Sequence, residues 1–530
     1  MNLWSFLSTH AERTPEKELL RYKDVRQTYA EFGRDAERAA SALRDLGVET
    51  GDNVCLMLGN NPDHLHIWFG LARLGAVSVP INVHLKGEGL AYIVDHADAR
   101  VIVVEADLLP RVQAIRDDVP RLRQIVVRGE DETASAFPRL EDLVASADER
   151  NDGVDVAPEA VSAILYTSGT TGPPKGVMLS HRAYLNAAAA FADQFVGATA
   201  DDVLYTCLPL FHINAQAHTV LPAIGKNATM AIGDRFSASG FWSEIRAHGA
   251  TIFNSLAAMI PILCKQPPSA DDRNHRARLT ACAATPRDIW VEFEERFGVR
   301  IVEGYGLTET AGFCINNPRH DVRIGTIGVP MDFVEARIVD AQDRPVPAGT
   351  RGEIAIRARE PHLFMEGYYK REDATAEAMR GGWFHSGDLG SMDADGYLTF
   401  ADRIKQSIRR RGENISSWEV EKIVNAHPHV LESAAVGVPS ELGEEEVKVC
   451  VVLRPGEKLE PAALVAWCEE RMAYFMVPRY VEFRDALPKT ATERVEKYKL
   501  KQEGIGPAWD RTTGLVAAAG DQQTNAPAGG

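Results

Sequence analysis

The segment Thr167-Ser-Gly-Thr-Thr-Gly-Pro-Pro-Lys-Gly176 crowds hydroxyl residues and glycines around one lysine. Glycines let the backbone approach a ligand closely, hydroxyls and backbone N–H groups donate hydrogen bonds, and the lysine adds positive charge. That mixture suits an anion, phosphate above all. It is not a Walker A loop, which needs glycine before its lysine and Ser or Thr after it; here Pro174 and Gly176 flank Lys175. Other residues suggest chemistry less sharply. Taken alone, Gly306-Leu-Thr-Glu309 is a helix start with Thr308 as its cap. Ser386-Gly-Asp388 is an Asx turn, while Arg403 and Arg409-Arg-Arg411 are solvated cations. His212 and His218 stand six apart without a nearby cysteine or carboxylate set, which does not make a zinc site.

A scaffold must hold these groups, and the chain alternates short apolar runs with helix-period segments. Asn53-Val-Cys-Leu-Met-Leu58, Val77-Ser-Val-Pro80 and Val101-Ile-Val-Val104 predict strands; Pro62 to Leu74 and Gly87 to His96 predict helices. The rhythm resumes at Ser162-Ala-Ile-Leu-Tyr166, Ala250-Thr-Ile-Phe253 and Val299-Arg-Ile-Val302. The expected fold class is therefore α/β, with a large N-terminal domain of helix-covered, mainly parallel sheets. From Asp340 the texture turns to Pro- and Gly-punctuated short strands, predicting a β-rich subdomain within that domain. A small α+β C-terminal domain follows, with a helix from Ser417 to Ala426 and strands at Ala434–Val438 and Val447–Leu453. The expected division is 1–402, 403–503 and a disordered tail over 504–530, where large apolar residues are few.

The 530 residues include 58 Lys and Arg against 75 Asp and Glu, a formal net charge of −17, which disfavours nucleic acid as a partner. Seven scattered cysteines, with no C-x-x-C pair, point to reduced thiols. No basic leader and no long apolar run is visible, so the expectation is a cytoplasmic protein without membrane insertion.

Four motifs in order give the chain a resemblance to the adenylate-forming superfamily of acyl-CoA synthetases, nonribosomal adenylation domains and luciferases. They are the loop above, Tyr305-Gly-Leu-Thr-Glu-Thr310, Gly382-Trp-Phe-His-Ser-Gly-Asp388, and Asp402-Arg403 leading to Gly412-Glu-Asn414. The likeness spans about residues 10 to 500. Within the superfamily, Leu208-Pro-Leu-Phe-His-Ile-Asn214, Phe241-Trp242 and Gln266-Pro-Pro-Ser-Ala-Asp-Asp272 look most like the crotonobetaine/carnitine-CoA ligase branch.

The resemblance implies that a carboxylic acid and ATP give an acyl-adenylate and pyrophosphate, and that CoA then displaces AMP to form a thioester. It implies that Thr167, Ser168, Gly169, Thr170, Thr171, Gly172 and Lys175 cradle phosphates and that Tyr305 lies by the adenine. Thr308 would meet the α-phosphate, Glu309 would hold Mg²⁺, and Asp388 and Arg403 would hold the ribose. Lys405 would be an interdomain hinge of a mobile C-terminal domain. His212 would line the acyl site near the thiol entrance, with Ile213, Asn214, Gln216, Cys282, Ala283, Phe313 and Cys314 forming the acyl pocket. A homodimer is left open.

The chain also departs from the family pattern. Arg411 replaces the first glycine of a usual Gly-Gly pair beside the expected CoA tunnel, next to Gly412. In Pro488-Lys-Thr-Ala-Thr-Glu-Arg494, Arg494 stands where the family has its adenylation lysine, with Lys497 as a backup cation. Arginine keeps the charge but differs in shape and reach. Neutral Asn214 stands where the carnitine-type branch has an aspartate, and the pocket candidates include no acid; this favours a neutral or polar carboxylic acid over a cationic one. Two alternatives stay open: transfer of the activated acid to a carrier protein or amine, or activation of nitrite for diazotisation, and a catalytically weak nucleotide-binding homologue.

Overall fold

The computed structural model describes residues 1–130, 135–148, 153–167, 173–256, 259–283, 285, 287–403, 407–440, 443–488, 495 and 497–516. The chain divides into two compact units, the first from residues 1–167 and 174–405, the second from residue 406 onward.

Local chemistry sets the elements of the first unit. Helix Pro62–Leu74 begins where the Asn61 side chain accepts from the His64 N–H, with Pro62 fitting the first turn, and ends at Gly75 with φ 69°. Almost every side chain in it is buried, because other elements cover it on all sides. Its Trp68 and Phe69 share a core with Tyr184, Phe191 and Phe195, and each fully buried Phe contributes about 1.5–3 kcal/mol of burial.

Two large sheets and one small sheet build this unit. The nine-stranded sheet has six adjacent parallel strands, in the order Glu18–Tyr22, Thr229–Ile232, Val203–Thr206, Ile252–Asn254, Leu279–Cys282 and Arg300–Leu307. The seven-stranded sheet has five: Val161–Thr167, Val77–Pro80, Asn53–Met57, Val101–Glu105 and Gln124–Arg128. The first continues into antiparallel strands at both edges, Gly312–Asn316 and Val329–Pro330 at one and Val25–Thr28 at the other, and the second at one edge only, Lys175–Ser180 and Gly367–Tyr368. The β-rich subdomain is an antiparallel sheet of Val334–Val339, Gly352–Ala358, Phe384–Met392 and Leu398–Arg403. Among the described residues, no helix is long and apolar enough to cross a membrane.

The second unit packs helices Ser417–Asn425 and Pro461–Arg471 on a five-stranded mixed sheet, beside the hairpin Ser407–Arg410 and Glu413–Ser416. Here the expected tail needs correction. Residues 504–516 are not disordered: Trp509–Asp510 pairs with Tyr480–Phe483, and Leu515–Val516 pairs with Trp509–Asp510. Asp510 explains the order. Its carboxylate accepts from both Arg479 Nε (3.2 Å) and Nη2 (3.1 Å), and from the Thr512 N–H and hydroxyl. Residues 517–530 lie outside the described residues.

Candidate active site

The glycine loop joins two antiparallel strands, Val161–Thr167 and Lys175–Ser180, with Thr167 opposite Lys175 and its hydroxyl 3.4 Å from the Lys175 carbonyl. Ser168, Gly169, Thr170, Thr171 and Gly172 fall outside the described residues. The Lys175 ammonium lies 4.3 Å from the ring centroid of Tyr368, which is on the next strand of the same sheet. The Tyr368 phenol in turn donates to Glu309 Oε1 at 2.8 Å. Burial first, and then the Glu309 carboxylate, push its pKa far above the ordinary phenol value, so it remains a donor.

Thr308 and Glu309 sit at the tip of a hairpin and not at a helix start. Strand Arg300–Leu307 ends in a single 3₁₀ turn, Thr308–Thr310, and the chain returns antiparallel as Gly312–Asn316. Positive φ at Ala311 (58°) and Gly312 (115°) makes the reversal. The Thr310 hydroxyl closes it, accepting from the Leu307 N–H at 2.9 Å and lying 2.8 Å from the Gly312 carbonyl. The third sheet brings Asp388, which is buried and accepts from the Tyr305 phenol at 2.6 Å. Asp388 and Arg403 are directly paired across the strands Phe384–Met392 and Leu398–Arg403. Three sheets thus meet through two phenols, Tyr368 to Glu309 and Tyr305 to Asp388.

The acyl-pocket candidates divide. His212, Ile213 and Asn214 are half-buried where a short helix begins, and the His212 ring lies 4.7 Å from that of Phe211. Gln216 is buried, and its amide donates to the Leu210 carbonyl (2.7 Å) and accepts from Tyr184 (2.5 Å). Cys282 and Cys314 are buried thiols whose pKa burial pushes up to about 12, each near a backbone carbonyl, while Ala283 is half-buried. Phe313 stacks on His218, centroids 4.5 Å apart, and its N–H donates to His218 Nε2 at 3.1 Å. Burial lowers the His218 pKa to about 3, which keeps the ring neutral.

In the second unit, Arg411 and Gly412 form the two-residue turn of a hairpin, both with positive φ (51° and 82°). Such a turn prefers glycine in both places, which accounts for the glycine that Arg411 replaces. Arg410 is not a solvated cation: it is buried, donates to the Phe475 and Val477 carbonyls, and lies against Glu446. The Lys497 ammonium pairs with Glu421 at 2.6 Å and donates to the Ser417 hydroxyl at 2.7 Å, which ties helix Lys497–Gln502 to helix Ser417–Asn425. In this structure that pairing occupies the ammonium. Lys405 and Arg494 lie outside the described residues, and only the backbone of Arg403 lies within them.

Tyr368, which fixes Glu309, was missed by sequence reasoning. The available signal was the tyrosine pair after Gly367, in a stretch that carries no other motif.

The class defined by these sheet-edge motifs has a matching family model, AMP-binding enzyme, over residues 7–369, and a second one, AMP-binding enzyme C-terminal domain, over residues 419–494. The chain belongs to the AMP-binding enzyme family. Among its relatives, the crotonobetaine/carnitine–CoA ligase of Salmonella agona (strain SL483) is 36% identical over 489 residues, 90% of this chain and 93% of that one. An anthranilate CoA ligase solved with anthranoyl-AMP superposes with a TM-score of 0.74 at 28% identity, covering 95% of this chain and 97% of that one. The amide bond synthetase of Marinactinospora thermotolerans reaches 0.84 at 24% identity, covering 95% and 99%, a likeness of fold alone.

Proposed function

We propose that this protein is an ATP-dependent, AMP-forming acyl-CoA ligase acting on a neutral or polar carboxylic acid. The acid attacks the α-phosphate of ATP to give an acyl-adenylate and pyrophosphate; the CoA thiol then displaces AMP to give the thioester. The observation that carries this is the meeting of Glu309, Asp388 and Lys175 from three different sheets, joined by Tyr368 and Tyr305. An acid approaching an already anionic phosphate needs fixed donors and cations, and groups held by sheet edges cost little reorganisation during reaction.

In this reading the Thr308 hydroxyl donates to the α-phosphate, Asp388 accepts from the ribose hydroxyls, and Lys175 faces phosphate from the glycine loop. Tyr305 borders the adenine with its phenol committed to Asp388. Glu309 fits Mg²⁺, because proteins usually hold that ion through one or two carboxylates plus substrate phosphates, and Tyr368 fixes this carboxylate in place. Bound there, the ion would neutralise phosphate charge. Arg494 would supply the adenylation cation, Arg411 and Gly412 would border the CoA path, and Lys405 would be the hinge between the two steps.

The acyl group would meet His212, Ile213, Asn214, Ala283 and Phe313. With no carboxylate among them and His218 held neutral behind Phe313, the pocket suits an uncharged acyl body, aromatic or enoic. A reducing, cytoplasmic setting suits the seven free thiols. The test is pyrophosphate release across a panel of aromatic, enoic and quaternary-ammonium acids, with and without CoA, and with thioester and AMP quantified. Turnover of an uncharged acid to its CoA thioester is expected. Adenylation without thioester formation, or a preference for the quaternary-ammonium acids, would refute the corresponding half of the reading.

A further inference from the structure

Asp388 stands on a bulge, and one carboxylate clamps that bulge from the neighbouring strand. Along the pairing of Gly352–Ala358 with Phe384–Met392, Leu389 lies opposite Glu353 and His385 lies opposite Ala355, so Ser386, Gly387 and Asp388 loop out between them. Gly387 takes a φ of 72° to make the loop. Both oxygens of Glu353 are engaged: Oε1 accepts from the Gly387 N–H at 3.0 Å, and Oε2 lies 2.9 Å from His385 Nδ1. Arg380 backs the clamp, donating to Glu353 Oε2 at 3.1 Å and to both oxygens of Asp343. The Ser386 hydroxyl completes the turn, donating to the Ile354 carbonyl at 2.6 Å and accepting from the Asp388 N–H at 3.1 Å. Asp343, Glu353 and His385 are the one cluster among the described residues with the donors for a metal ion, but the Arg380 guanidinium already binds both carboxylates and supplies the cation there.

We propose that Glu353 is a positioning residue for nucleotide recognition: by holding the Gly387 N–H and His385 together, it fixes the height and direction of Asp388 toward the ribose. Glu353 touches no nucleotide itself and acts through Asp388. The inference rests on the proposed role of Asp388, and the test separates the two.

The experiment compares kcat/KM for ATP and 3′-deoxy-ATP in pyrophosphate release by the full-length wild type, Asp388→Ala, Glu353→Ala, Glu353→Gln and the double variant Glu353→Ala/Asp388→Ala. A hydrogen bond to a charged acceptor predicts that the wild type prefers ATP by about 10- to 100-fold, and that Asp388→Ala loses this preference. Glu353→Ala should raise the KM for ATP about 10-fold more than it changes kcat and bring the preference down toward that of Asp388→Ala. It should add little in the double variant, the sign that both residues act through one contact. Glu353→Gln keeps an acceptor for the Gly387 N–H and should recover part of the preference; it also serves if Glu353→Ala does not fold. A preference that Asp388→Ala loses while both Glu353 variants keep it would overturn the clamp alone. Equal use of both nucleotides by the wild type, or an undiminished preference in Asp388→Ala, would overturn the nucleotide reading and the clamp with it.

Discussion

Glu309 and Lys497 show how a partner decides what a charged side chain can do. Glu309 has one oxygen held by a buried phenol at 2.8 Å, which orients the carboxylate. Tyr368→Phe removes that donor while keeping the ring against Lys175, so pyrophosphate release should fall about 10-fold, the worth of one hydrogen bond to a charged group. Glu309→Gln should cost about 10² or more, because the ligand charge itself is lost. Equal losses in the two variants would mean that Tyr368 does more than orient Glu309. Lys497 is the opposite case, a cation committed to Glu421, whose pKa burial raises even with the lysine beside it. Lys497→Ala should therefore act on stability, leaving a half-buried carboxylate unpaired and lowering the melting temperature of the second unit. Arg494→Ala should act on chemistry: adenylation roughly 10²-fold slower or worse, with conversion of supplied acyl-adenylate to thioester spared. If the two variants exchange these phenotypes, the placement of Arg494 at the family's lysine position is wrong.

At the scale of the element, the hairpin that carries Thr308 and Glu309 depends on two adjacent residues with different tolerances. A Cβ on Gly312 would lie 2.4 Å from His218 Nε2, and φ is 115° there, a conformation L side chains rarely adopt. The His218 ring has little room to move aside, since it is buried against both Phe191 and Phe313, with centroids 4.7 and 4.5 Å away. Gly312→Ala should thus destabilise the first unit by about 2 kcal/mol or more and displace the Glu309 turn, seen as a lower melting temperature together with a higher KM for ATP. Ala311 has φ 58°, where glycine is more comfortable than alanine, so Ala311→Gly should leave stability unchanged or raise it by up to about 1 kcal/mol. The same turn shows why Gly-Leu-Thr-Glu misleads as a sequence. Thr308 followed by an acidic residue has helix-start chemistry, but the strand before it is already paired in a sheet, and positive φ at residues 311 and 312 turns the chain back along it.

For the molecule as a whole, what the sequence reveals follows the range of the interactions involved. Helices Pro62–Leu74 and Gly87–His96 were legible to the residue, the first because its start and stop signals are local. The order in residues 504–516 was not, since it rests on Asp510 reaching Arg479, and the neighbouring Gly- and Ala-rich stretch dilutes Trp509 in any compositional reading. The site lies between these cases. Its motifs were visible, but the bonds that assemble it, Tyr305 to Asp388 and Tyr368 to Glu309, join residues 83 and 59 positions apart. Buried histidines add a property of the whole first unit. Burial depresses the pKa of His64 and His181 to about 4 and of His218 to about 3, and two of these rings accept backbone N–H groups, His181 Nδ1 from Leu3 and His218 Nε2 from Phe313. With folded values below the ordinary 6.5, the unfolded chain takes up protons that the folded chain refuses between about pH 6.5 and 4. Stability is therefore full above pH 6.5 and lost as pH falls, by about 1.4 kcal/mol per pH unit for each histidine. Urea unfolding measured at half-unit steps from pH 7.5 to 4.5 should show this decline beginning near pH 6.5. His218→Gln retains an acceptor for the Phe313 N–H but cannot titrate, so it should flatten the slope by about one histidine's share. Wild-type stability that stays level down to pH 4.5, or a His218→Gln slope equal to that of the wild type, would show that His218 is not held neutral by the fold.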